Sequence, residues 1–218
     1  MTPMFVWQRA TVSALAVVTL TLGLGACAPL VVGGVATGVI VAVDRRTSGA
    51  QLEDEGIELR AANRLREALG ERGHVNVTSY NRQVLLTGEV PTADDKLKVE
   101  QTLAKVDNVR SVLNELAVMP NTSLSQRSSD VLVTGRIKAS VVDAQDLSTH
   151  AFKVLTERGT VYLMGRVTER EAKRVTDIAR TVQGSQRVVR AFEIISEEEL
   201  ARLSPKPVAA PAAKPAGD

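Results

Sequence analysis

Residues 84–90 read VLLTGEV and residues 161–167 read VYLMGRV. Both copies place Val, Leu, Gly and Val at alternate positions, then run into a charged stretch, PTADDKLK in one and TEREAKR in the other. The pairs Val84/Val161, Leu86/Leu163, Gly88/Gly165 and Val90/Val167 keep one offset, and upstream Val75 and Val77 meet Phe152 and Val154. After Pro91, which the second copy lacks, the offset shortens by one. Thr92 then meets Thr168, Val99 meets Val175, Val106 meets Val182, and Val112, Leu116 and Val118 meet Val188, Phe192 and Ile194. A period this long is too wide for most solenoid repeats and fits two tandem small domains.

Each copy reads as helix, strand, strand, helix, strand. In the first, Ala61, Ala62, Leu65, Ala68 and Leu69 mark a helix face that Gly70 ends. HVNVTSY and QVLLTGEV alternate as strands around a turn at Asn81-Arg82. Thr92 caps a second helix with Asp94 and Asp95 in its first turn, where carboxylates suit the dipole. VRSVLNELAV closes the copy. In the second, Ser129 or Asp130 is expected to cap VLVTGRIKASVV, whose core stripe is Val133, Ile137 and Val141. AFKVLTE and TVYLMGRV pair around Arg158-Gly159, Thr168 and Glu171 make a capping box, and RVVRAFEII is the last strand. Hairpin strands are antiparallel, whereas a strand returning after a crossover helix can run parallel to its neighbour. The expected fold class is therefore α+β, with a three-stranded mixed sheet and two helices on one face in each copy.

The ends of the chain differ in kind from this pair. MTPMFVWQRATVSALAVVTLTLGLGAC carries Arg9, an apolar run from Ala10 to Leu24 and small residues before Cys27, the pattern of a secretory signal. Leu24-Gly25-Ala26-Cys27 resembles the bacterial lipobox, in which the cysteine is acylated and becomes the first residue. Ala28 then points to the outer membrane, by resemblance to lipoproteins of Gram-negative bacteria. Several acyl chains on one cysteine give stable anchoring. Pro29 to Val43, PLVVGGVATGVIVAV, falls short of the ~20 residues that span a bilayer. It reads as a membrane-proximal tether, either lying among headgroups or free of them. The expected division is 1–26 signal, 27–50 lipidated tether, 51–120 and 127–196 the two domains, and 204–218 a Pro/Ala-rich disordered tail.

Strand, glycine and capped helix in one run, YLMGRVTEREAKR above all, make each copy similar to the BON domain. Two copies behind a lipobox resemble the dual-BON outer-membrane lipoproteins of the DolP/YraP type. The resemblance implies binding of phospholipid, especially anionic lipid, in the bacterial envelope and a role in keeping the outer membrane intact. The protein is expected to be lipid-anchored in the outer membrane and to face the periplasm.

The residues themselves narrow the choice further. The 27 basic and 25 acidic residues nearly balance, so the basic stripe of a nucleic-acid binder is missing. The single cysteine excludes an internal disulfide, and His74 and His150 are too far apart in sequence to suggest a metal site. No spacing suggests a catalytic triad, a zinc-protease motif or a cofactor loop, so neither an enzyme nor a bound cofactor is expected. Gly88 and Gly165 are read as close backbone approaches and not as phosphate cradles. The informative segment is the first helix of the second copy. Val131, Leu132, Gly135 and Ala139 lie away from its core stripe, with Arg136 and Lys138 close by. An apolar tip flanked by cations suits an anionic headgroup surface. The competing reading packs Leu132 against the other copy and leaves the cations solvated. A separate alternative makes the pair an adaptor that recruits envelope proteins, for outer-membrane assembly or peptidoglycan remodelling, through an edge strand or an open sheet face.

Overall fold

The computed structural model describes residues 44–203 apart from residue 71. The expected signal segment, Cys27, the expected tether up to residue 43 and the Pro/Ala-rich tail lie outside the described residues. Thr47 accepts a hydrogen bond from the Ala50 amide and so starts helix α1, Ser48–Leu69, inside the stretch expected to be tether. Its core stripe is Ile57, Ala61, Leu65 and Leu69, a clean i, i+4 series. Ala62, expected on that face, is exposed.

Strands β1 (His74–Tyr80) and β2 (Gln83–Val90) form an antiparallel hairpin. Helix α2 (Ala93–Leu103), capped by Thr92, carries the chain across to β3 (Ser111–Asn114), which runs parallel to β2. The expected single closing strand is interrupted. The Asn114 side chain accepts from the Leu116 amide and breaks the ladder, which resumes as β4 (Ala117–Val118) on the same neighbour.

The second copy repeats the plan. Helix α3 spans Leu124–Asp143 and a short 3-10 turn, Thr149–Ala151, leads into β5 (Phe152–Glu157). Strand β6 (Thr160–Val167) pairs antiparallel with β5 and parallel with β7 (Arg187–Ile194), on either side of α4 (Glu169–Thr181). A final short helix, α5, covers Glu197–Leu203. Thr168 and Glu171 form the expected capping box.

Each sheet buries one face under its own two helices. Val84, Leu86 and Val90 meet Ile57, Leu65, Val99 and Leu103 in the first domain, and Val161, Leu163 and Val167 meet Ile137, Ala172 and Val175 in the second. The other faces of the sheets meet each other. Tyr80 and Leu85 pack with Tyr162, Met164 and Ala191 in a third apolar cluster, flanked by Leu113, Leu155 and Val189. The layers therefore run helix, sheet, sheet, helix. The open face invoked for the adaptor alternative is consumed in this contact.

Candidate functional site

Helix α3 starts six residues before the expected cap at Ser129 or Asp130. Ser123 caps it, accepting from the Gln126 amide. Ser128 and Ser129 return their hydroxyls to the Leu124 and Ser125 carbonyls, so neither competes as a cap. Asp130 is buried and faces inward, where its carboxylate accepts the Arg158 and Gly159 amides at 2.8 and 2.9 Å. Anchored in this way, α3 presents Val133, Ile137 and Val141 to the core and the opposite side to solvent.

That outer side carries an apolar stripe. Leu124, Val131, Leu132 and Val142 are 79, 69, 60 and 63% exposed, and they project from one half of the helix circumference. Gly135 and Ala139, also exposed, fall between them and keep the stripe low. All six residues proposed from sequence, Val131, Leu132, Gly135, Arg136, Lys138 and Ala139, are solvent-facing. Leu132 is not tucked against the other domain. Arg136 flanks one edge of the stripe and makes one long bond, 3.3 Å, to the Gln183 carbonyl. Lys138 flanks the other edge.

Lys138 also opens onto a cleft of about 370 Å³ at the C-terminal end of α3. Val142, Phe152 and Val154 give it apolar walls, while Arg46 and Lys153 add cations from the neighbouring elements. Lys153 is engaged by Glu58 at 3.0 Å and by the Ser79 carbonyl. Arg46 is held by Asp44 and Asp54 and lies 4.5 Å above the Tyr80 ring centroid. Lys138 is thus the cation of the cleft whose ammonium has no ion pair among the described residues.

The glycines are explained by distance. A Cβ at Gly88 would stand 2.0 Å from the His74 carbonyl oxygen, and φ there is +108°. At Gly165 it would stand 2.3 Å from the Ala151 oxygen. Both are points where the first strand of a hairpin enters close to the second.

Sequence spacing missed two features. The first is a clasp: Arg45 makes a bidentate pair with Glu171 at 2.7 and 2.8 Å and also donates to the Arg166 carbonyl. Burial pushes the Glu171 carboxyl up, but the Arg45 guanidinium and the Thr168 amide outweigh burial and hold it below the usual carboxylate range. Arg46, the next residue, holds Asp54 of α1. The segment that leads back toward Cys27 is therefore pinned to both domains. The second feature gathers His74, Glu89 and Glu157, residues distant in sequence, at the domain junction. Only the pairing of β1 with β2 and the docking of β5 could bring them together.

Among the described residues no helix is long and apolar enough to cross a membrane. The family model described as BON domain matches residues 54–120 and 129–196. Outer membrane lipoprotein DolP of Haemophilus influenzae is 36% identical over 178 residues, covering 80% of this chain and 92% of that protein. A 21 kDa hemolysin of Actinobacillus pleuropneumoniae is 30% identical over 155 residues, 70% of this chain and 80% of the relative. An uncharacterised protein of Anaplasma centrale is 32% identical over 117 residues, 53% and 78% of the two chains. With both halves of the duplicated fold matched in register, the chain belongs to the BON-domain family, as a two-domain member of the DolP type.

Proposed function

We propose that this protein is a non-enzymatic lipoprotein of the outer membrane, anchored through Cys27 and facing the periplasm, that binds anionic phospholipid through α3 and helps keep the membrane intact. The observation that carries the reading is the solvent-facing apolar stripe of α3 with a cation on either edge. Fully burying a Leu or Val side chain contributes about 1.5–3 kcal/mol, and each Lys or Arg near an anionic surface about 1 kcal/mol. Four exposed aliphatic side chains with Arg136 and Lys138 thus supply enough for reversible docking of a domain that a lipid anchor already holds near the bilayer. The cleft beside Lys138 offers apolar walls and an uncommitted ammonium, which suits a phosphate with its first methylene groups.

The test uses residues 44–203, which keep the clasp and every contact described here, without the acyl anchor. This fragment is expected to sediment with vesicles containing phosphatidylglycerol, less with neutral vesicles, and less as salt rises. Leu132→Asp and Arg136→Asp are each expected to weaken sedimentation about fivefold or more, in keeping with a change of at least ~1 kcal/mol. Equal binding by the variants would remove lipid recognition from α3. The adaptor reading would then have to work through edge strands, because the open sheet faces are buried against each other.

A further inference from the structure

At the domain junction, His74 opens β1 and sits opposite Glu89 in the β1–β2 register. Glu157 ends β5 of the other domain. The nearest donor atoms of the three lie within 4.8 Å of one another. Glu89 is 0% exposed and Glu157 7%. Two carboxylates are rarely buried side by side without compensating charge.

The hydrogen bonds around them orient the group without completing it. Glu89 accepts from Arg158, from the Thr122 amide at 3.2 Å and from the Thr122 hydroxyl at 3.1 Å. Glu157 accepts from the Asn76 amide group at 2.5 Å. Arg158 pairs with Glu89, whereas Glu157 has no ion pair among the described residues. Independently, Nδ1 of His74 is buried and makes no hydrogen bond, and it stands 3.4 Å from Glu89 Oε2. A buried imidazole nitrogen with no hydrogen-bond partner, beside a buried carboxylate, is an available metal ligand.

We propose that His74, Glu89 and Glu157 form a site for a divalent transition-metal cation, of which Zn²⁺ is the probe, that links the two BON domains. One imidazole nitrogen and two carboxylate oxygens are a donor set suited to Zn²⁺, and less to Mg²⁺ or Ca²⁺, which prefer oxygen alone. Asn76, Thr122 and Arg158 supply the outer hydrogen bonds that orient carboxylate ligands. Because Glu157 comes from the second domain and the other two ligands from the first, the cation ties the sheets together at one edge of their shared core.

The full chain in detergent, stripped with a chelator and carrying Cys27→Ser throughout so that no thiol competes, is titrated with ZnCl₂ by calorimetry. The expected result is one Zn²⁺ per chain and a rise in melting temperature on binding. His74→Ala and Glu157→Gln are each expected to cost at least about tenfold in affinity and to abolish the thermal shift. His150→Ala, at an exposed residue on the short turn before β5, is expected to change neither. Melting of the metal-free variants checks that each still folds, and Glu157→Gln, which keeps side-chain shape, decides if His74→Ala does not. Absence of saturable binding overturns the proposal, as does equal affinity for Mg²⁺. Unchanged binding in both ligand variants, or its loss in His150→Ala, does the same.

Discussion

Asp54 and Asp130 show how one side chain can determine a turn. Asp54 on α1 accepts the Asn81 and Arg82 amides at 2.7 and 2.8 Å, and Asp130 on α3 accepts the Arg158 and Gly159 amides. In both hairpins the two turn residues have positive φ, including Arg82 at 67° and Arg158 at 51°. Such a turn suits the twist of the strands but costs about 1 kcal/mol or more at a non-glycine residue. The buried carboxylate offsets that cost by satisfying both amides. Asp54→Ala and Asp130→Ala are each expected to lower stability by about 2–4 kcal/mol, read from urea unfolding. Gly165→Ala would drive its Cβ against the Ala151 carbonyl and is expected to cost about 3 kcal/mol or more by the same measurement. The sequence suggested the close approach of the glycines, but it assigned Asp130 to a helix start. An Asp ahead of an apolar series has the pattern of a cap, and only the position of the following hairpin reveals that the carboxylate faces it.

At the scale of elements, α3 differs most from its counterpart α1. Both helices bury an aspartate followed by an apolar series at i, i+3 and i+4 spacing, yet α3 turns Leu124, Val131, Leu132 and Val142 outward, where α1 exposes Leu52 and Leu59 among charged neighbours. Because Leu132 and Arg136 support no core contact, their substitution by Asp is expected to leave the melting temperature within about 2 °C of wild type. Thermal unfolding monitored by circular dichroism checks this, and a larger fall would mean that the stripe serves the fold. The periodicity of Val133, Ile137 and Val141 made the inward face of α3 legible. The first turn and a half of the helix was not, because LSQRSS has no apolar rhythm and its start is marked only by the local Ser123 cap on the Gln126 amide. The interruption of the closing strand at Asn114 was equally hidden, since a local side-chain bond competes there with the sheet ladder.

For the whole molecule, the decisive event is the meeting of the two sheets. Tyr162 is fully buried in the contact, so Tyr162→Ala is expected to cost about 3–5 kcal/mol in denaturant unfolding, although the residue belongs to neither helix-covered core. The clasp adds a pH dependence. The Glu171 carboxyl is held low in the folded protein, so its contribution is complete above the unfolded value of about 4.3 and is lost as pH falls through the lower folded value. Glu171→Gln is expected to flatten the fall in melting temperature below that pH, and an unchanged profile would remove the clasp from acid stability. Part of the sheet contact was written in the strands, because Leu85, Tyr162 and Met164 occupy positions that a one-sided sheet would make polar. By itself the sequence determined the duplication, the order of elements and the helix-covered face of each sheet, since these follow from periodicities of two and 3.6 and from local capping. The tertiary structure alone decided that the second faces bury each other, that Arg45 and Arg46 bridge both domains, and that His74, Glu89 and Glu157 converge. Those arrangements join residues far apart in the chain, and no local pattern records a distance that only the docking of two folded units sets.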